Sequence, residues 1–507
     1  MFLENGVIRT MDPSLPVVRA LAIAGPVVAG GVGTHESALP SPEHVDLGGR
    51  CVLPAFADAH VHFPTWALRR REVRLEGTAS LGEALDRVRR APVRDGWIRG
   101  GGWRDAGWET PPSAEALDAV AGDTPAALWA RDLHTLWLNS AALRLAGAEL
   151  DAPGGVVERD AAGAPTGILR EAAATAYARR HLVPGEDELV DATREGIREA
   201  HARGLASIHD LDGGLGAAGV FSRLRADGAL TLRVWQSLPH ERLDELARLG
   251  LRSGLGDDYF RLGYLKVFMD GTLGSGTAWM LDGEGVCLTS AGELTEIVRE
   301  AAVAGWPVAV HAIGDRANRE ALDAFEATRT VWHALGLRQR IEHAQCVHPA
   351  DAPRFAALGV ACSVQPSHAP SDRDVADRHW PGHDGAYAYR TLLDAGAVLA
   401  SGSDAPVEEL DPLAGVRAAV LRTLDERSAW RPEQALTVEQ ALAAATLAPA
   451  WLAGDERRRG KLRPGYLADL VVLDRDPVTC EPDELEAVSV VATMVGGRWV
   501  HTPPPWD

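Results

Sequence analysis

Residues 52–62 read Val-Leu-Pro-Ala-Phe-Ala-Asp-Ala-His-Val-His. An apolar run ends in His60 and His62, two positions apart. On a strand, residues i and i+2 project to the same face. Two imidazoles on one face can bind a single metal ion. An HxH triplet alone is more often structural, and its place at the end of a strand-like run gives it weight. The fold then turns on whether other runs end in the same way.

Seven further strand-like runs lie near 205–210, 232–238, 262–268, 307–312, 340–345, 360–366 and 397–405, the first being 52–60. Ala-, Leu- and Arg-rich stretches with helical apolar spacing, such as TEIVREAAVAG and ALDAFEATRTVWHALG, lie between several of them. Strands alternating with helices argue for parallel βα units, and eight is the number a closed barrel needs. The expected fold class is α/β: a (β/α)8 TIM-like barrel over 52–454, with additions. Both chain ends, 1–51 and 455–507, carry short apolar runs broken by Gly, Pro and Asp, and are expected to pair into one small sheet domain, with two separate caps as the alternative. The gap from about 64 to 204 far exceeds a βα loop and is rich in tryptophan (Trp97, Trp103, Trp108, Trp129, Trp137). It is read as an inserted cap after the first barrel strand; a separate packing domain is the alternative.

Later strand ends carry chemistry too. Lys266 lies in LGYLKVFMDG, where an unpaired ammonium is costly to bury. It could snorkel, pair with Asp270, or react with carbon dioxide to give an anionic carbamate able to bridge two cations. His311 ends PVAVHAIGD, His343 ends RIEHAQ, and Asp404 ends LASGSDAPV. Each alone could be a satisfied core or loop residue. Together they mark the C-terminal face of a barrel, where barrel catalysis is found, with donors suited to Zn²⁺ and similar ions.

Bulk properties narrow the classes. A formal net charge of -20 disfavours nucleic acid as a partner. Five widely spaced cysteines with no CxxC pair suggest a reducing, cytoplasmic setting. No signal peptide or long apolar span is read, so no membrane association is expected. A small-molecule substrate is expected, and a homodimer on general frequency.

The set of markers LPAFADAHVHF, LHTLWLNSAAL, LKVFMDGTLGSGTAW, VHAIGDRAN, RIEHAQ, SVQPSHAPSD, LASGSDAPVEELDPL and LRPGYLADLVVLDRDP resembles the amidohydrolase superfamily. More narrowly it resembles the family-3 (YtcJ-like) branch, which includes N-substituted formamide deformylases. The resemblance spans nearly the whole chain and implies a composite β-sandwich built from both chain ends, 1–51 and 455–507. It implies His60, His62 and Asp404 on the more buried metal, His311 and His343 on the second, and a carboxylated Lys266 with a hydroxide between them. The implied cofactor is Zn²⁺, one or two ions, with another divalent metal as an alternative. The implied reaction is hydrolysis of a C–N bond (amide, N-formyl or N-acyl) with Asp404 as the catalytic proton shuttle. Trp103, Asp105, His134 and His368 are the implied substrate contacts, and His209-Asp210 ends the second strand behind the ligands. Gly276 stands where many relatives carry Arg, which would make the pocket larger and less basic. The competing classes are a metal-dependent deaminase of a nucleobase-like or aminated heterocycle, against which Lys266 argues, and a non-catalytic barrel protein, against which the six filled ligand positions argue.

Overall fold

The computed structural model describes residues 1–29, 33, 43–105, 107–131, 135–147, 150–213 and 216–506. His134 lies outside the described residues. The chain divides into two compact units, one of residues 1–64 and 194–507 and one of residues 65–193.

The first unit holds an eight-stranded sheet: β1 (Phe56–Val61), β2 (Leu205–Asp210), β3 (Arg233–Pro239), β4 (Phe260–Phe268), β5 (Val308–Ala312), β6 (Arg340–His343), β7 (Ala361–Val364) and β8 (Leu399–Ser401). Each strand pairs in parallel with the next in chain order. This is the α/β barrel expected from the eight runs. The edges β8 and β1 meet just past their ends through two backbone hydrogen bonds. The Asp404 N–H donates to His60 O at 2.7 Å, and the His62 N–H donates to Ala405 O at 2.9 Å. Closure therefore runs through residues of the candidate site itself.

The run 52–60 is one apolar stretch in sequence but two strands in space. Cys51–Pro54 pairs antiparallel with Leu470–Leu473, and only Phe56–Val61 enters the barrel. Periodicity cannot see that division, because every residue of both segments is buried and only Ala55 between them is partly exposed.

Cys51–Pro54 belongs to a six-stranded sheet in the order Arg498–His501, Val490–Val495, Leu470–Leu473, Cys51–Pro54, Val7–Arg9, Val17–Val18. A four-stranded sheet orders Val27–Val28, Leu21–Ala24, Phe2–Glu4 and His44–Asp46. Leu3, Leu21, Val28 and Val45 of the second sheet share one core with Ile8, Val52, Leu470 and Met494 of the first. Two sheets are stable in this way when each buries one face against the other.

Inside the barrel, Tyr264 and Trp235 share a cluster with Ala59, Ala309, Ala361 and Ala400, and with Ala448 and Leu452 of the helix Leu447–Leu452. Two bulky rings against four small residues fill the barrel floor, leaving a packed interior rather than a pore. Tyr264 anchors that packing by donating its hydroxyl to Leu452 O at 2.9 Å.

The second unit contains a six-stranded sheet in the order Gly155–Arg159, Pro165–Glu171, Thr135–Leu138, Ala126–Ala130, Ile98–Trp103, Val73–Arg74. Its core includes Trp103 and Trp137, whose ring centroids are 5.8 Å apart, edge to face. Among the described residues, no helix is long and apolar enough to cross a membrane.

Candidate metal centre

The site is built on β6 outward from the barrel floor. Arg340 and Glu342 are i and i+2 on that strand, and both are fully buried. Arg340 sits over the Tyr264 ring at 4.9 Å, donates to Ala59 O at 2.7 Å, and makes a short ion pair with Glu342. It also donates to His209 Nδ1 at 3.0 Å. A guanidinium can only donate, so His209 must be neutral with its proton on Nε2. Burial and the Arg340 charge both hold His209 in that form.

The opposite oxygen of Glu342 accepts from His60 Nδ1 at 2.7 Å. Burial alone would raise the Glu342 pKa, but Arg340 and His60 outweigh it and keep the carboxylate ionised. With Nδ1 of His60 committed to Glu342, Nε2 is the nitrogen that faces the site, 3.3 Å from Asp404 Oδ1. His62 Nε2 is 3.4 Å from the same oxygen. On the other side, His368 Nε2 and His343 Nδ1 lie 3.9 and 4.0 Å from Asp404 Oδ2. Two triads, His60–His62–Asp404 and His343–His368–Asp404, each bring their donor atoms within 4.8 Å of one another.

Asp404 and His343 reach these positions from left-handed backbone, with φ of 58° and 73°. Non-glycine residues hold that conformation at a cost of about 1–3 kcal/mol where the surroundings fix it. The Asp404 N–H bond to His60 O supplies such fixing. Gly402 is required for a related reason: a Cβ there would fall 2.4 Å from His60 N. Asp58 accepts from the N–H groups of His60 and Ser403 at 2.9 and 3.0 Å, tying the two ends of the closure together.

His311 stands beside His343, their ring centroids 4.6 Å apart. Its Nε2 donates to Gly271 O at 2.9 Å, which leaves the lone pair on Nδ1. His343 Nδ1 donates to Gln365 Oε1 at 2.9 Å, leaving the lone pair on Nε2. Burial first, then Lys266, pulls the His311 pKa down to about 3, and burial with His311 acts likewise on His343. Both imidazoles are thus neutral, the form that binds metal. Asp404 is held ionised by its imidazole neighbours against the opposing effect of burial.

Lys266 completes the set. Its side chain is buried, and among the described residues Nζ finds no hydrogen-bond partner. Burial pulls its pKa down to about 8, partly offset by Glu342 and Asp404. The Asp270 carboxylate, the alternative partner from sequence, is occupied instead by the N–H groups of Ile313, Gly314 and Trp279. A buried amine with no hydrogen-bond partner, 5.1 Å from the centre of the Phe268 ring and next to neutral imidazoles and an ionised carboxylate, is a donor set that fits divalent cations.

The remaining expectations divide. His368 lies in the cluster, and its Nδ1 accepts from the Gln345 amide at 3.2 Å. Trp103 is buried in the core of the second unit and donates its indole N–H to Leu128 O at 2.8 Å. Asp105 is exposed in the same unit. Asp210 is occupied by the N–H of Phe63 and the amide of Gln236, at 2.7 and 2.8 Å. Gly276 sits in an exposed turn, with φ of 67°. Arg340, Glu342, Asp58 and Gln365 were not singled out from sequence. The first two did leave a signal: opposite charges two apart inside a strand run must share a face and neutralise each other if that face is buried.

A parallel barrel with imidazoles, a carboxylate and a buried lysine gathered at its C-terminal mouth defines a metal-site barrel protein. The model of the amidohydrolase family matches residues 43–501, and the chain belongs to that family. It is 32% identical to Protein LONG AFTER FAR-RED 3 of Arabidopsis thaliana, over 99% of this chain and 91% of that one. It is 30% identical to an N-substituted formamide deformylase of Arthrobacter pascens, over 98% of this chain and 97% of that one. Among solved structures it resembles an uncharacterized metal-dependent hydrolase from Pyrococcus horikoshii OT3, with a TM-score of 0.83 and 29% identity over 95% of this chain and 99% of that one. Family and neighbours support a metal-dependent hydrolase that takes a divalent ion.

Proposed function

We propose that this protein hydrolyses a C–N bond outside peptides, in an N-formyl, N-acyl or related amide, with zinc as its ion. The observation that carries the reading is Asp404: one ionised carboxylate with four imidazole nitrogens within 4.0 Å, beside the Lys266 amine, which has no hydrogen-bond partner among the described residues. The relative from Arthrobacter pascens, named a formamide deformylase, supports the choice of bond.

His60, His62 and Asp404 would hold one ion, and His311 and His343 the second. Lys266, about half free of its proton near pH 8, is suited to react with carbon dioxide and would then offer the ions an anionic carbamate. When bound, a divalent metal makes water a nucleophile near neutral pH and polarises a carbonyl. The residues do the rest. Asp404 accepts the proton of the attacking water and returns it to the leaving nitrogen. Glu342 keeps the Nδ1 proton on His60, so its Nε2 faces the site as a lone pair. The Gln345 amide, donating to His368 Nδ1, puts the His368 proton on Nε2. That atom finds no hydrogen-bond partner among the described residues, lies 3.9 Å from Asp404 Oδ2, and is placed to donate to an oxyanion. A cytoplasmic location agrees with five unpaired cysteines.

The test pairs metal analysis with a substrate screen. About two zinc-like ions in the wild type, fewer in Lys266→Ala, and amine release from N-formyl or N-acyl amines would support the proposal. A metal-loaded protein that releases ammonia from aminated heterocycles and no amine from amides would overturn it in favour of a deaminase.

A further inference from the structure

A second group of metal-ligating side chains lies apart from the six residues of the barrel mouth. Asp315, Cys346 and His383 bring a carboxylate oxygen, a thiol sulfur and an imidazole nitrogen within 4.8 Å of one another. Asp315 opens the helix Asp315–Trp332 that follows β5, and is 1% exposed. Cys346 follows β6 and is fully buried. His383 is half-buried, on a segment whose neighbours Gly382 and Asp384 are exposed. The three come from chain stretches far apart in sequence.

Their meeting is fixed by backbone rather than by contact between the side chains. The Cys346 N–H donates to Ile313 O at 2.9 Å, setting it against the turn that carries Asp315. Asn318 donates to Cys346 O at 3.2 Å. On the other side, Val347 N–H donates to Gly385 O at 3.0 Å and Tyr387 N–H to Gln345 O at 2.5 Å. A Cβ on Gly385 would fall 2.0 Å from Val347 O, so only glycine permits this approach. Cys346 Sγ then makes a long sulfur hydrogen bond of 3.9 Å with His383 Nδ1, a separation that is also close to the spacing of two ligands on one ion. One Asp315 oxygen accepts from the Leu281 N–H at 2.8 Å, an orienting bond that leaves the other oxygen available.

A catalytic role for the thiol does not fit. Burial, then Asp315, raises its pKa, so a bare Cys346 stays protonated and inert. A divalent cation changes this, because it replaces the proton, which leaves to solvent past half-buried His383. Two anionic ligands and one neutral imidazole then make a neutral site with a dication, which suits a buried position. A thiolate with nitrogen and one carboxylate selects a zinc-like ion over magnesium, calcium or manganese.

We infer that Asp315, Cys346 and His383 form a further binding site for a zinc-like divalent cation, with a fourth position open to water. It does not depend on the barrel-mouth reading, whose ligands include no sulfur.

That difference supplies the test. The full-length protein, stripped of metal, is titrated with Co²⁺ while absorbance is followed. The site predicts a thiolate-to-cobalt charge-transfer band in the near ultraviolet, growing to one equivalent. The band should vanish in Cys346→Ser while the visible cobalt bands of the barrel mouth persist. In His383→Ala, a half-buried change that spares the core should Cys346→Ser fail to fold, the affinity behind the band should fall by more than the roughly 10–100-fold that loss of an outer-shell partner costs. Cobalt uptake with no such band, or a band unchanged in the variants, would overturn the inference. Loss of the visible bands alone would instead count against the barrel-mouth centre.

Discussion

Glu342 Oε2 accepts the Nδ1 proton of His60 at 2.7 Å, with both side chains shut away from solvent. The same carboxylate is the counter-ion of fully buried Arg340. One residue therefore orients a ligand and neutralises a charge, and Glu342→Gln separates the two tasks by keeping shape while removing charge. Affinity for the ion at His60 should fall about 10–100-fold. Stability should fall by about 3–5 kcal/mol, because Arg340 is left buried and unpaired. Chelator competition reads the first and chemical unfolding the second. Unchanged affinity would show that His60 needs no orienting partner.

Asp404 is assigned the proton transfer, so Asp404→Asn should lose turnover far more than metal. The amide keeps the volume and one oxygen ligand but cannot accept and return a proton. General acid–base catalysis contributes roughly 10²–10⁴-fold, and kcat should drop by at least that much. Steady-state kinetics on any amide found in the screen, alongside metal content, decides it. A variant with kcat intact would remove Asp404 from the proton path.

Much of this was legible in the sequence, and what was not has physical reasons. The eight barrel strands overlap the eight apolar runs, because a parallel strand buried on both faces must be apolar along its length. The ends of those runs pointed to His60, His62, His311, His343 and Asp404 for the same reason, since a polar residue closing such a run stands out, and Lys266 stood out as a charge flanked by apolar residues within one. Arg340 and Glu342 lie inside a run and were passed over as part of RIEHAQ. The division between Cys51–Pro54 and Phe56–Val61 was hidden because no change of polarity marks the move from one sheet to another. Trp103 shows the converse: a conspicuous residue type whose indole is packed in a core and donates to a backbone carbonyl.

Gly402 tests how tightly closure and site are joined. Alanine there places its Cβ 2.4 Å from His60 N, 2.8 Å from His60 Cβ and 2.9 Å from Asp58 Oδ1. No flexible side chain can yield to the first contact, so β1 and the end of β8 must separate. Gly402→Ala should lower stability by about 1–3 kcal/mol, as overpacking does, and reduce metal retention with it. Thermal unfolding and metal content should fall together. Loss of stability with full metal retention would mean that the Asp404–His60 backbone bond is not what holds the ligands in place.

His201 gives a pH dependence that owes nothing to metal. It is 1% exposed; its Nδ1 donates to Leu205 O at 2.9 Å, and its Nε2 lies 2.8 Å from Thr231 Oγ1, whose hydroxyl donates to it. Burial pulls its pKa down to about 4, only partly offset by the Leu205 carbonyl. The unfolded chain protonates this histidine near pH 6.5, whereas the folded chain resists until about pH 4. The unfolded state therefore binds more protons across that window, and stability rises with pH through it. The contribution is fully present above about pH 6.5, drains away as pH falls toward 4, and changes no further below that, amounting to on the order of 3 kcal/mol. His201→Gln removes the titrating group, so the difference between wild-type and variant unfolding free energies should slope between these limits and flatten on either side. Urea unfolding at intervals from pH 3 to 8 measures it. A difference independent of pH would mean that His201 titrates alike in both states and that its buried hydrogen bonds do not hold it neutral.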